Sequence, residues 1–148
     1  MLFRSDQCDL DIQEVVLEPL ASSMSVLSQD EKELGACLID IGGGTTDIAI
    51  FKDGQIITTK VIPVGGDHVT RDIAHELKTP VDEAEIIKIE HAATLSRLNG
   101  SDELIDVPSV GDRETRKTDR KVLGSVVEQR YEEIFEVIKS EEIGRAHV

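Results

Sequence analysis

Three glycines between two aspartates are the residues whose types point most directly to chemistry. Residues 40–47 read Asp-Ile-Gly-Gly-Gly-Thr-Thr-Asp. Glycine has no Cβ, so backbone N–H groups can approach a ligand closely, and several that point the same way bind an anion. Threonine hydroxyls add donors, and aspartates bind hydrated Mg²⁺, which bridges to phosphates. The stretch predicts a nucleoside triphosphate site whose phosphate contacts are Gly42, Gly43, Gly44, Thr45 and Thr46, and whose metal contacts, through water, are Asp40 and Asp47.

Short apolar runs flank this stretch and predict how it is positioned. Residues 36–39 and 48–51 are too short for helices and rich in strand formers. Asp53-Gly54 is a strong hairpin signal, and residues 55–62 continue as a third strand. The sequence therefore predicts a three-stranded meander with the glycines at its first hairpin tip. A hairpin without a ligand remains the alternative, although one or two glycines would suffice for it.

Periodicity and capping signals predict the other elements. Val69, Ile73 and Leu77 share one face of a helix after the meander, and Thr79 with Pro80 is typical of a helix start. The remaining predictions, in chain order, are a strand over 14–17, a helix from Pro19 to about Leu27, a helix from Pro80 to about Leu95, a short strand over 103–107, and a helix over 119–139 whose apolar stripe runs from Val122 to Ile138.

Glu85 and Lys88 are three residues apart, so they share a helical face. Two interpretations are open: a surface ion pair, which the residues alone favour, and a pair that contacts a ligand.

Composition restricts the function classes. Thirty acidic against sixteen basic residues give a net charge of −14, which argues against unspecific binding to nucleic acid or anionic lipid. Aromatic residues make up 3% and tryptophan is absent, so a stacking platform for nucleic acid is not expected. The four histidines show no metal-ligand spacing, and Cys37 is expected in the core. No apolar run is long enough to span a membrane, and the chain is interpreted as cytoplasmic.

The two ends resemble translated sequencing adaptors. We interpret residues 1–5 and 143–148 as adaptor-derived and exclude them from fold reasoning. On this interpretation the chain is expected to be an internal fragment of a longer protein.

Several segments carry a resemblance to known families. Residues 40–47 resemble the second phosphate motif of the actin-like ATPase superfamily, and residues 17–22, Leu-Glu-Pro-Leu-Ala-Ser, resemble its first connecting motif. Within the superfamily, the order and wording of further segments are similar to the bacterial cell-division family FtsA. Those segments are 30–35, 61–66, 69–74, 79–80 and 84–89.

The resemblance implies an α/β, actin-like (ribonuclease H-like) fold that is only partly present. Residues 6–35 would be the end of subdomain 1A with its connecting helix. Residues 36–142 would be subdomain 2A with 2B, the latter at roughly 69–117. The superfamily's first phosphate motif and adenosine motif, and the family's subdomain 1C, are not in the sequence.

The resemblance also implies roles in binding ATP and Mg²⁺. Asp40 would hold Mg²⁺ through water and Glu18 would help orient an attacking water, which makes these two the catalytic candidates. Asp47 is a secondary metal candidate. Glu85 and Lys88 would contact the nucleoside. Gly65 and Gly66 open a helix whose N-terminus could add backbone donors.

For the whole protein, the resemblance implies an assembly function. It would tether the ring of the tubulin-like protein FtsZ to the cytoplasmic face of the inner membrane, self-associate into filaments, and attach through a C-terminal amphipathic helix absent here. ATP hydrolysis is left open, and the isolated chain is expected to bind nucleotide weakly. The alternatives are an MreB-type or PilM-type assembly protein, or a sugar kinase or chaperone ATPase of the same superfamily.

Overall fold

The computed structural model describes residues 12–95, 103–111 and 114–143. The adaptor-like residues 1–5 and 144–148 lie outside these ranges. The chain divides into two compact units. The first comprises Met1–Asp40 and Asp47–Val61, and the second comprises Ile41–Thr46 and Ile62–Val148.

The first unit contains the predicted meander. Its strands are β1 (Ala36–Ile41), β2 (Thr46–Lys52) and β3 (Gln55–Ile62), in the spatial order β1-β2-β3. Asp53 and Gly54 have φ angles of 52° and 75°, and two positive φ angles define the hairpin turn whose twist matches the strands. Leu38, Ala49 and Phe51 form the buried core of this sheet. The prediction of a meander is therefore confirmed.

Two helices precede the meander, α1 (Glu18–Val26) and α2 (Gln29–Leu34). The first was predicted and the second was not. A capping box starts α2, because the Ser28 N–H donates to Glu31 Oε2 at 2.8 Å and the Glu31 N–H donates to Ser28 Oγ at 3.3 Å. The Ser28 N–H and the Ser28 hydroxyl, which also donates to Glu31 Oε2 at 2.8 Å, together lower the pKa of Glu31. Five of the six residues of α2 are polar, so the helix has no apolar period, and its only sequence signal was this box.

Two predictions in the first unit are wrong. Residues 12–17 form no strand, and Val15 and Leu17 are 73% and 70% exposed. An extended segment becomes a strand only when another strand pairs with it, and no described strand pairs with residues 12–17. Cys37 is exposed rather than buried, because side chains alternate along β1 and the neighbouring Leu38 takes the inward position.

The second unit packs three helices against a two-stranded ribbon. These elements are α3 (Gly66–Glu76), α4 (Val81–His91), β4 (Leu104–Val107), β5 (Arg116–Asp119) and α5 (Arg120–Ile143). The ribbon is antiparallel, with Ile105 opposite Thr118. As predicted, Val69, Ile73 and Leu77 lie in the core. The rest of that core consists of Ala84, Ile87, Ile105, Val107, Leu123 and Val127.

Three details of the second unit differ from prediction. Thr79 does not cap α4, because the helix begins at Val81 and Pro80 occupies the N-cap position. The Thr79 hydroxyl is buried and has no hydrogen-bond partner among the described residues. The helix ends at His91, four residues early. The apolar stripe of α5 is narrower than expected, since Val122 and Phe135 are exposed while Leu123, Val127, Ile134 and Ile138 are buried.

Arginine side chains connect the elements of this unit. Arg130 of α5 donates to both carboxylate oxygens of Asp72 on α3, at 2.5 and 3.0 Å, and this pairing raises the pKa of Arg130. Arg120 donates to the His91 carbonyl at 2.8 Å and to Glu103 at 2.6 Å. Among the described residues, no helix has both the length and the hydrophobicity of a membrane span.

Candidate functional site

The glycine tip of the first hairpin is closed by its own backbone. The Gly42 N–H donates to the Thr45 carbonyl at 2.8 Å, and residues 42–45 are exposed. Thr46 is buried, and its hydroxyl donates to the Val64 carbonyl at 2.7 Å. Thr46 therefore anchors the tip internally, whereas Gly42 to Thr45 are accessible.

The N-terminus of α3 holds the tip from one side. The Gly66 N–H donates to the Gly42 carbonyl at 2.9 Å, and the Asp67 N–H donates to the Gly43 carbonyl at 2.8 Å. The first N–H groups of a helix have no acceptor within the helix, and here the tip supplies two. A Cβ at Gly65 would lie 2.4 Å from the Gly42 oxygen and 2.6 Å from the Gly43 oxygen. Only glycine at position 65 allows this approach.

These two hydrogen bonds also determine the direction of the next two N–H groups. In a planar trans peptide, the C=O and N–H point in opposite directions. The Gly42 and Gly43 carbonyls face α3, so the Gly43 and Gly44 N–H groups point away from it. A Cβ at Gly44 would meet no atom within 4 Å. Residues 43 and 44 are both exposed, and two neighbouring N–H groups that point away from α3 form an arrangement that can bind an anion.

The backbone donors of Gly65 and Gly66 are already engaged. The Gly65 N–H donates to His68 Nδ1 at 3.2 Å, and the Gly66 N–H donates to the tip. Their direct contact with a ligand stays a prediction. Their observed role is to position Gly42 and Gly43.

Glu85 and Lys88 lie beside the same helix terminus and form more than a surface ion pair. Lys88 Nζ lies 2.7 Å from Glu85 Oε2, 2.8 Å from Thr70 Oγ1 and 3.3 Å from the Gly66 carbonyl. The Thr70 hydroxyl donates in turn to Glu85 Oε2. The Lys88 and Thr70 hydrogen bonds lower the pKa of Glu85, so Glu85 is held as a carboxylate.

Sequence reasoning missed Thr70. Its signal was a hydroxyl residue between Val69 and Ile73 on the apolar side of α3, where a buried polar group needs a partner. Thr70 and Glu85 also line an open cleft of about 320 Å³. The other lining residues are Asp67, Arg71, Val81 and Asp82.

The remaining predicted residues, Glu18, Asp40 and Asp47, belong to the first unit. Glu18 lies exposed in the first turn of α1. Ser22 follows one turn later on the same face of the helix, and its hydroxyl donates to Asp40 Oδ2 at 2.9 Å. Sequence reasoning missed this Ser22 contact. The described residues contain no group of three or more His, Cys, Asp or Glu side chains able to hold a metal ion. A metal there would need water or a ligand for most of its coordination.

Solved structures with similar folds are actin-like. The crystal structure of MreB5 of Spiroplasma citri bound to ADP matches with a TM-score of 0.74 at 20% identity, over 92% of this chain and 44% of that one. A PilM-PilN type IV pilus biogenesis complex matches with a TM-score of 0.67 at 15% identity, over 99% of this chain and 36% of that one. The predicted α/β, actin-like fold is confirmed.

Sequence comparisons are more specific. Cell division protein FtsA of Pseudomonas aeruginosa is 56% identical over 135 residues, which cover 91% of this chain and 32% of the relative. The Escherichia coli K12 protein of the same name is 46% identical over 92% of this chain and 32% of its own length. The chain thus spans about a third of the length of these relatives. The family model for cell division protein FtsA matches residues 37–146. The chain therefore belongs to the FtsA family of bacterial cell-division proteins.

Proposed function

We propose that this chain supplies part of the ATP-binding site of an actin-like cell-division protein. The observation that carries the proposal is the pair of N–H groups on the exposed residues Gly43 and Gly44, which point away from α3 because α3 binds the preceding carbonyls. Two crystal structures of MreB5 with this fold are bound to ADP and to AMPPNP, which supports a nucleotide as the anion.

The predicted residues that are accessible have a place in this proposal, whereas the buried Thr46 only anchors the tip. The exposed tip, Gly42 to Thr45, would hold the phosphates through N–H and hydroxyl donors. Glu85, kept charged by Lys88 and Thr70, would accept hydrogen bonds from the ribose hydroxyls, and Lys88 would approach the sugar or base edge. The cleft beside Glu85, at about 320 Å³, lies within the size range of small-molecule sites. The residues therefore fit a nucleotide.

Residues of the first unit would make the contacts to the metal and to water. Asp40 and Asp47 flank the tip in sequence and would hold Mg²⁺ through water, as suits an ion that keeps most of its hydration. Ser22 fixes the Asp40 carboxylate for this task. Glu18 would help orient a water. Bound ATP would supply a cleavable phosphoanhydride bond and a ligand that can favour one conformation of the protein.

For the full-length gene product we propose a role in cell division, in agreement with the name of its relatives, and a more specific task that the resemblance implies. It would tether and assemble the FtsZ ring on the cytoplasmic face of the inner membrane, self-associate, and reach the membrane through an amphipathic helix. Within it, residues 36–142 would form subdomain 2A with 2B. The acidic surface, at a net charge of −14, supports a separate membrane anchor over direct attraction to anionic lipid.

The decisive test of the ATP site is Gly44→Val in the full-length gene product. The new side chain finds free space in the unliganded protein, whereas a Gly43 variant would press on the Asp67 carboxylate, 3.1 Å from the added Cβ. We expect an unchanged melting temperature and at least a roughly tenfold weaker affinity for Mg-ATP by calorimetry, because the side chain blocks access to the backbone donors. Equal affinity in a folded Gly44→Val protein contradicts the proposed phosphate site.

The cellular role needs a separate test. Depletion of the full-length protein in its host should block division. Depleted cells that divide normally but lose rod shape or pili would instead indicate an MreB-type or PilM-type role.

A further inference from the structure

A continuous chain of hydrogen bonds joins Lys88 to the glycine tip. Lys88 Nζ donates to the Gly66 carbonyl at 3.3 Å. The N–H of that same peptide unit belongs to Asp67 and donates to the Gly43 carbonyl at 2.8 Å. The N–H of the Gly43 peptide unit belongs in turn to Gly44. Three polar groups therefore lie in series, with an ammonium at one end and the exposed Gly44 N–H at the other.

Charge at one end of such a chain affects the other end. Hydrogen-bonded peptides polarise one another, and each bond strengthens the next, most of all where water is partly excluded. An ammonium on the Gly66 carbonyl therefore makes the Asp67 N–H a better donor and, through Gly43, makes the Gly44 N–H a better donor to an anion.

Thr70 determines where the Lys88 ammonium sits. The buried Thr70 Oγ1 accepts from Lys88 Nζ at 2.8 Å, a shorter contact than the one to the Gly66 carbonyl. Thr70 is also one helical turn after Gly66, and its oxygen lies 3.1 Å from the Gly66 carbonyl oxygen. Without this hydroxyl, Lys88 would keep its Glu85 partner but lose the contact that keeps its ammonium at the helix terminus.

We propose that Thr70 is a positioning residue that places Lys88 on the Gly66 carbonyl and so couples the nucleoside side of the site to its phosphate side. The proposal rests on the proposed ATP site and assigns Thr70 a task that does not require contact with the nucleoside. Thr70 acts on the phosphates through Lys88, Gly66 and the tip.

The test uses a probe that has phosphates and no nucleoside. Inorganic tripolyphosphate and ATP, both with Mg²⁺, compete against a fluorescent ATP analogue on the full-length gene product. We expect Thr70→Val to weaken the binding of tripolyphosphate and ATP alike, by about fivefold, which matches the net contribution of one ordinary hydrogen bond. Thr70→Ser should restore both affinities, and Thr59→Val, on an exposed position of β3, should change neither.

Lys88→Met provides a second variant should Thr70→Val fail to fold. It should weaken the binding of tripolyphosphate more than Arg71→Met, which removes an equal charge from the cleft that Thr70 and Glu85 line. Two results would contradict the coupling but not the ATP site. One is an equal effect of Lys88→Met and Arg71→Met. The other is a Thr70→Val protein that loses affinity for ATP but keeps its affinity for tripolyphosphate. The coupling is also contradicted if tripolyphosphate cannot displace the ATP analogue from the wild-type protein. If the wild-type protein binds neither ATP nor tripolyphosphate, the ATP site itself is contradicted.

Discussion

Replacing Gly65 with alanine tests the contact between α3 and the hairpin tip. The φ angle of Gly65 is −162°, an extended conformation that alanine adopts freely, so any cost is steric. The added Cβ would lie 2.4 Å and 2.6 Å from the Gly42 and Gly43 oxygens and 2.9 Å from the Gly43 carbonyl carbon. All three atoms are backbone atoms, so no side-chain rotation relieves the contact.

The magnitude follows from the displacement required. A carbon and an oxygen without a bond between them need about 3.3 Å, so the tip and α3 must separate by roughly 0.8 Å. The bonds from Gly66 and Asp67, at 2.9 and 2.8 Å, would then lengthen beyond hydrogen-bond range. Two lost bonds at about 1 kcal/mol each and an overpacking strain of about 1–3 kcal/mol give a total of roughly 3–5 kcal/mol.

The assay has a global and a local readout. Urea unfolding of the 148-residue chain gives the change in the free energy of unfolding, and amide hydrogen exchange reports on the Gly66 and Asp67 N–H groups. The control is Gly44→Ala, whose Cβ meets no atom within 4 Å and which should stay within about 1 kcal/mol of the wild type. A Gly65→Ala chain as stable as this control, with both amides still protected, would refute the steric argument.

Three further predictions concern the charged contacts. Arg130→Met removes both bonds to Asp72, and the two side chains are 23% and 31% exposed in the wild type. We expect the free energy of unfolding, measured in urea, to fall by about 1–2 kcal/mol, and Arg130→Lys to recover part of this loss. Because the pKa of Glu85 is lowered by Lys88 and Thr70, its stabilisation is present above the unfolded-state pKa and is lost as pH falls through the folded-state pKa. Glu85→Gln should therefore lose less stability than the wild type between about pH 6 and pH 3, and parallel pH profiles would contradict this. Asp40→Asn in the full-length protein should reduce the Mg²⁺-dependent part of the ATP affinity, measured by calorimetry with and without EDTA; an unchanged Mg²⁺ dependence would remove Asp40 from the metal site.

The parts of the fold that sequence predicted well are those with a local signal. The meander follows from short apolar runs and the Asp53-Gly54 turn, and α3 follows from the spacing of Val69, Ile73 and Leu77. The errors occur where the outcome depends on a distant partner. Residues 14–17 have strand composition, but no described strand pairs with them. The polar β5, in contrast, is a strand because β4 pairs with it.

The candidate site divides in the same way. Residue types at the tip were enough to propose its chemistry, because glycine and aspartate carry that information locally. The roles of Gly65 and Thr70 depend on contacts to residues more than a dozen positions away, Gly42 and Lys88, which no local pattern contains. The residues alone favoured a surface ion pair at Glu85, because the spacing of Glu85 and Lys88 on one helix contains no information about Thr70 on another.

The division of the chain into units has a practical consequence for dissecting it. The polypeptide passes between the units three times, after Asp40, Thr46 and Val61. No single cut can therefore separate them, and a truncated protein starting at Ile62 would lack residues 41–46. The α3 terminus would then lose the carbonyls that accept from Gly66 and Asp67. A stand-alone version of the second unit must carry the hairpin tip as a grafted segment, joined by a linker in place of residues 47–61.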